Sequence, residues 1–195
     1  MSKRRTNDAY YTHTAVTKAL LYRIPGIRHA TVFEPCAGSG LMANELRKDG
    51  CKVVTNDIAD HECDYQCDAT DRGEVCWEYY DWVVTNPPFN LAHKILPIAL
   101  DHANVGVAFL LRLSYLEPAN GRREWLQHHA DQMVYCGVLN PRPRFRAGEI
   151  NPKTGNEYGT DNVTVAWMVW KKNWSWLDMG IRRPFDFITD WQVGA

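Results

Sequence analysis

The strongest chemical signal in this chain is Asn86-Pro87-Pro88-Phe89, directly after the apolar run Trp82-Val83-Val84-Thr85. Two consecutive prolines fix the backbone just past a strand. The carboxamide oxygen of Asn86 and the main-chain carbonyl of Pro87 can then each accept a hydrogen bond from an amino group. Such bonds draw the nitrogen toward a tetrahedral geometry that exposes its lone pair. Phe89 can stack on a planar base. The bland alternative is a Pro-rich turn with Phe89 in the core.

A second group is Glu34-Pro35-Cys36-Ala37-Gly38-Ser39-Gly40. Glycine permits positive φ and lets a ligand approach the backbone. The turn lacks the Gly-Lys-Ser/Thr ending of a phosphate loop and is not a full G-x-G-x-x-G. A tight structural turn therefore stays open as a reading. Asp57 falls 17 residues after Gly40, at a second strand end, where a carboxylate can accept hydrogen bonds from ribose hydroxyls. Asp68 and Ala69 are expected at a following strand end, near an adenine ring. With no phosphate-binding lysine evident, a nucleoside with an uncharged linkage fits better than a dinucleotide.

These residues need strands and helices in alternation to position them. Short β-prone runs fall at residues 31–33, 52–55, 81–85, 105–111, 132–139 and 163–170, with helical patterns at 41–48, 91–102 and 122–130. That order predicts a doubly wound α/β sheet, whose ligands sit at the carboxyl ends of the strands. Both unusual motifs lie at such ends.

The chain has 195 residues, 45% of them hydrophobic and 23% charged, which fits a single domain over residues 1–195 with an ordinary core. No apolar run is long enough to span a bilayer, and no secretory signal is read at the N-terminus. The six cysteines are read as reduced thiols. Among these, Cys63, Cys67 and Cys76 with His61 do not repeat as a C-x-x-C pattern, so no metal site is expected.

The formal net charge is −1, which taken alone argues against a polyanion partner. The total hides a segregation. Residues 1–30 carry six Lys or Arg against one acid, residues 49–81 ten acids against two cations, and residues 141–153 four cations against one acid. Fields are local over about 10 Å at physiological salt, so basic segments can still meet nucleic acid. The 140–162 connection is rich in Pro, Gly and Arg, and connections that long are usually functional or disordered. Arg142, Arg144, Arg146 and Lys153 are its candidates for phosphate contact, with the basic tail Ser2 to Arg5 in support.

The motif order resembles class I S-adenosylmethionine-dependent amino-methyltransferases. It is most similar to small phage or prophage adenine-specific DNA methyltransferases, over residues 8–172. Asp8-Ala9-Tyr10-Tyr11-Thr12-His13 resembles the family's Tyr-x-Thr-Pro element beside the cofactor, with His13 in place of Pro. Leu111 to Glu117, Arg142 to Phe145 and Ala166 to Trp170 resemble later family segments. The resemblance implies a Rossmann-like, seven-stranded, mostly parallel sheet with helices on both faces. Its last strand, at residues 163–170, is antiparallel. S-adenosylmethionine is then the cofactor, held by Tyr10, Thr12, Glu34, Cys36, Ala37, Gly38, Gly40, Asp57, Ile58, Asp68, Ala69 and Asn86. The catalytic residues are Asn86, Pro87, Pro88 and Phe89, and the partner is DNA. The adenine is flipped out of its stack so that its N6 amino group can meet the methyl donor.

The same resemblance implies a cytoplasmic setting, in a bacterial host if the protein is phage-encoded, and a part in protection from restriction. An RNA adenine methyltransferase is the alternative, followed by a protein-glutamine methyltransferase and a non-catalytic binding subunit. Trp167 and Trp170 are expected in the core. The Trp-rich 171–195 segment, with Trp174, Trp176, Trp191, Phe185 and Phe187, is expected to cover a face of the domain or a dimer contact.

Overall fold

The computed structural model describes residues 12–59, 62–117, 122–143, 154–156, 163–173 and the backbone of 185–188. In chain order the elements are α1 (Thr14–Arg23), β1 (Thr31–Glu34), α2 (Leu41–Lys48), β2 (Lys52–Thr55), β3 (Tyr80–Thr85) and α3 (Ala92–His102). They continue with β4 (Ala103–Arg112), α4 (Arg122–His128), β5 (Met133–Leu139), β6 (Val165–Lys171) and β7 (Phe185–Ile188).

Successive side chains of a strand point to opposite faces, so strands that are apolar throughout must be covered on both sides. Val32, Trp82, Val84, Ala108, Leu110 and Trp167 pack into one core with Ala15 to Leu21 of α1 and Met42 and Leu46 of α2. Their alternates Phe33, Val83, Val107, Phe109, Met168 and Trp170 pack into a second core with Ile95, Leu96 and Ala99 of α3. In the first core a polar contact adds to the packing of α1 on the sheet: the indole N–H of Trp167 donates to the carbonyl of Val16 at 2.9 Å. Trp167 and Trp170 are fully buried, as their sequence pattern predicts.

The body of the sheet runs β2-β1-β3-β4-β6-β5, and the short β7 pairs alongside β5. Strands β1 to β4 are parallel to their neighbours within this set, whereas β6 runs antiparallel to both β4 and β5. Several details differ from the sequence expectation. The antiparallel strand begins at Val165, not 163, and it is not the last strand, because β7 follows it and pairs parallel with β5. Helix α4 ends at His128, two residues short of the predicted 130.

Among the described residues between β2 and Asp68, no strand leads to Asp68 and Ala69. A single parallel bridge, Asn56 to Tyr65, stands where one was expected. The acidic composition of this stretch explains the difference. The carboxylate of Asp64 accepts the backbone N–H and the hydroxyl of Thr55, each at 2.8 Å. A side chain thereby occupies the edge of β2 that a strand backbone would otherwise pair.

Among the described residues, no helix is long and apolar enough to cross a membrane. Of the basic 1–30 segment, Arg28 pairs with Asp49 at 2.9 Å and Lys18 lies 4.0 Å from the buried Glu45. The first pair joins the turn before β1 to the end of α2 and the second joins α1 to α2; the basic tail Ser2 to Arg5 lies outside the described residues.

Candidate active site

The carboxyl ends of the parallel strands bring four groups to one edge of the sheet: Glu34 and the glycine turn after β1, Asn56 and Asp57 after β2, Asn86 to Phe89 after β3, and Arg112 at the end of β4. The glycine turn has φ of 51° at Gly38 and 72° at Gly40, left-handed values that side-chain-bearing residues rarely adopt. A Cβ at Gly40 would meet no protein atom closer than 4.0 Å, so within the protein Gly40 is needed for its backbone angle and not for space.

Asp57 and Asn56 strap this turn to β2. The carboxylate of Asp57 accepts the Gly38 N–H at 2.8 Å and the Ala59 N–H at 2.9 Å. Asn56 is fully buried, and its amide group makes three bonds. Nδ2 donates to the carbonyls of Pro35 at 3.0 Å and Cys67 at 3.1 Å, and Oδ1 accepts the Cys67 N–H at 2.8 Å. The backbone of Asn56 adds a bond from the Ala37 N–H at 2.9 Å. One side-chain amide thus stands in for the missing strand. It fixes the distance between the glycine turn and the 67–69 loop. Sequence reasoning gave Asn56 no role beyond marking the end of β2.

Asp68 is exposed, and its Oδ1 accepts the Thr70 N–H at 2.9 Å and the Thr70 hydroxyl at 2.8 Å. Those bonds hold its carboxyl below the usual range. Ala69 beside it is buried and Ile58 is exposed at the rim. Cys36 is half-buried, and burial, with Asp57 and Glu34 nearby, pushes its thiol far up, so it is neutral.

Glu34 is the electrostatic exception. It is 2% exposed, and its Oε2 has no hydrogen-bond partner among the described residues. Burial raises its carboxyl well above the usual 4.5, against the lowering effect of the Ala43 N–H. In this state the folded protein holds a proton that the unfolded chain has lost above pH 4.5. Stability therefore falls as pH rises from there to the folded-state value, by up to about 1.4 kcal/mol per pH unit. Glu34→Gln removes that decline. Thermal denaturation across pH should show the wild type losing stability relative to Glu34→Gln as pH rises. Parallel curves would place the ionisation of Glu34 elsewhere.

At the β3 exit, Asn86 is half-buried and its Nδ2 donates to the Thr12 hydroxyl at 3.0 Å. Thr12 is 6% exposed and immediately precedes His13, whose Nδ1 accepts the Ala15 N–H at 3.2 Å and caps α1. The φ of His13 is −63°, the value a proline would impose at this position. The Thr12 bond fixes the rotation of the Asn86 amide. The carbonyl of Pro88 is committed to the start of α3, accepting from the N–H groups of Leu91 at 2.9 Å and Ala92 at 3.1 Å.

Phe89 packs against the first core, and the guanidinium of Arg112 lies 4.7 Å from its ring centroid. Strand register explains the meeting. Thr85 pairs with Phe109, so β4 runs three residues past the end of β3 and carries Arg112 over the Pro-Pro turn. A cavity of about 200 Å³ beside Phe89 is also lined by Asn90, Arg112, Tyr115 and Arg122. Sequence reasoning assigned no role to Arg112 or Arg122.

Tyr10, Arg144, Arg146 and Lys153 lie outside the described residues, as do His61, Trp174, Trp176 and Trp191. Arg142 is exposed. Among the described residues no group of three His, Cys, Asp or Glu side chains could hold a metal.

No protein-family model matches this chain. No curated protein matches it in sequence. Solved structures do match in fold. A protein from Pyrococcus horikoshii named as a candidate RNA methyltransferase aligns with a TM-score of 0.60 and 14% identity, covering 87% of this chain and 90% of that one. The methyltransferase subunit of a type I restriction-modification system from Streptococcus thermophilus aligns with a TM-score of 0.61 and 14% identity, over 85% of this chain and 45% of that one. Magnesium protoporphyrin IX methyltransferase from Synechocystis, solved with S-adenosylmethionine bound, gives a TM-score of 0.54 and 12% identity, over 82% of this chain and 80% of that one. The fold is the Rossmann-like fold of class I methyltransferases.

Proposed function

We propose that this protein transfers a methyl group from S-adenosylmethionine to the N6 amino group of adenine in DNA, leaving S-adenosylhomocysteine. The observation that carries the reading is the Asn86 amide, locked to Thr12 at a parallel-strand exit beside Phe89. It shares the sheet edge with a glycine turn strapped to an acidic strand end.

The residues present fit the cofactor. Gly38, Gly40 and Cys36 offer a close-approach turn, Asp57 a carboxylate for ribose hydroxyls, and Asp68 with Ala69 and Ile58 a rim for the adenine. Glu34 is a buried carboxyl with an oxygen to spare, suited to a ligand that carries positive charge. Thr12 borders the methionine end. The cofactor supplies a methyl on a sulfonium, open to in-line displacement by a nitrogen lone pair.

The chain's own residues orient that nitrogen. The Asn86 carboxamide oxygen and the Pro87 carbonyl accept the two hydrogens of the amino group and aim its lone pair. Pro87 and Pro88 keep both acceptors rigid, and Phe89 stacks on the base. No strong base is needed, because the proton leaves after the nitrogen has become cationic. The catalytic contribution is positioning and fixed dipoles.

The test is incubation with methyl-labelled cofactor and, in turn, duplex DNA, RNA and protein, followed by digestion and identification of the product. N6-methyladenine from DNA supports the reading. N6-methyladenine from RNA alone moves the substrate to RNA. Label on glutamine, or none on any substrate, removes the reading.

A further inference from the structure

The cavity beside Phe89 is walled by two cation–aromatic pairs. The guanidinium of Arg112 lies over Phe89 at 4.7 Å, and that of Arg122 over Tyr115 at 5.1 Å. Both distances are within the roughly 6 Å over which such pairs attract. The two arginines reach the cavity from different elements, Arg112 from the end of β4 and Arg122 from the start of α4. Arg122 has no carboxylate partner among the described residues. Both side chains are half-buried, so each charge is held at the mouth of the site and not lost in solvent.

The arrangement poses a conflict that the proposed chemistry must resolve. Phe89 rests on the core, and the guanidinium of Arg112 lies over its ring. A base stacking on Phe89 from the cavity needs the place Arg112 holds. The cavity, at about 200 Å³, is below the range of about 300–1,000 Å³ usual for small-molecule sites, and suits a single base whose sugar and phosphate remain outside. A displaced guanidinium at the mouth then meets the phosphates that flank the base. Planar guanidinium groups bind phosphate oxygens in pairs.

We propose that Arg112 and Arg122 form a phosphodiester clamp for the target nucleotide, and that Arg112 reaches its phosphate by exchanging its stack on Phe89 for the incoming base. The inference rests on the nucleic-acid reading above. In the empty protein Arg112 keeps the apolar face of Phe89 covered. In the complex the same side chain holds the backbone of the nucleotide that replaced it.

Binding of labelled 12-mers of deoxyadenosine, measured from 50 to 300 mM salt with saturating S-adenosylhomocysteine, tests both halves. Each phosphate contact on a single strand contributes about 0.7 to the slope of log affinity against log salt. Arg112→Gln and Arg122→Gln should each flatten the slope by about that much. Arg123→Gln, an exposed neighbour that does not line the cavity, should leave it unchanged. With an abasic 12-mer no base displaces Arg112, so Arg122→Gln should still flatten the slope and Arg112→Gln should not. An unchanged slope in both variants overturns the clamp. An equal effect of Arg112→Gln on both oligomers overturns the exchange. A 12-mer of riboadenosine identifies whether the clamp serves RNA as well as DNA. Methyl transfer by the wild type is assayed beside these titrations. Transfer to DNA with unchanged slopes sinks this inference alone, and a wild type that neither binds nor methylates nucleic acid sinks the functional reading with it.

Discussion

An Asn86→Ala protein is expected to bind S-adenosylmethionine within a few-fold of the wild-type affinity and to turn over about 100- to 1,000-fold more slowly. That is the loss typical of removing one preorganised group that acts on charge developing in the transition state. The separation of the two effects follows from the geometry. The glycine turn and Asp57 are strapped to each other through the Gly38 N–H at 2.8 Å and do not depend on Asn86. In the proposed mechanism the Asn86 amide acts on the reacting nitrogen, and it is tied to Thr12 at 3.0 Å. Initial rates with labelled cofactor, beside calorimetric titration of the cofactor, measure the two quantities independently. Turnover at the wild-type rate would remove Asn86 from the chemistry. A parallel collapse of cofactor affinity would mean that its role is to hold the cofactor or the N-terminal element.

The second large effect is expected from a change of one group at a buried position, Asn56→Asp. The Nδ2 of Asn56 donates to the carbonyls of Pro35 and Cys67. A carboxylate of the same shape cannot donate, and turns one acceptor oxygen on the two carbonyls. Each buried group left without its partner costs about 1–3 kcal/mol, and Tm should fall by roughly 5–20 °C for a chain of this size. Cofactor affinity should fall with it, because the Asn56 amide sets the spacing between the glycine turn and the 67–69 loop. The sign of the pH dependence is a further check. Burial raises the carboxyl of the introduced aspartate, so the folded variant gains stability as pH falls and the group takes up a proton it can donate. Thermal denaturation at pH 5 and pH 8 should show the deficit shrinking at the lower pH. An equal deficit at both would indicate that the site admits water and that the amide is not the tie it forms here.

The acidic character of residues 49–81 acquires a structural meaning beyond the cofactor. Asp64 occupies the edge of β2, Asp49 pairs with Arg28, and Asp81 accepts the Thr31 N–H at 2.9 Å and the Thr31 hydroxyl at 2.7 Å, tying β3 to β1. Several acids that compositional reading would give to a ligand are engaged in bracing the sheet that presents the ligand site. Asp57 itself braces the turn while standing at the strand end where a ribose would bind.

The sequence by itself determined the features that depend on near neighbours. The Pro-Pro backbone after β3, the left-handed glycines after β1, the apolar strands and the helix after each turn all follow from local steric rules and from the periodicity of burial. Those rules also set which ends of the strands carry the candidate site. Only the tertiary structure decided which groups meet across that edge. Thr12 reaches Asn86 over 74 positions, and Asn56 reaches back 21 positions to Pro35 and forward 11 to Cys67. Arg112 meets Phe89 because β4 outruns β3 by three residues in a register fixed by the packing of both sheet faces. The antiparallel entry of β6 and the parallel β7 beyond it are decided in the same way. Such contacts depend on strand order and register, which are properties of the whole packed sheet, and no short window of residues encodes them.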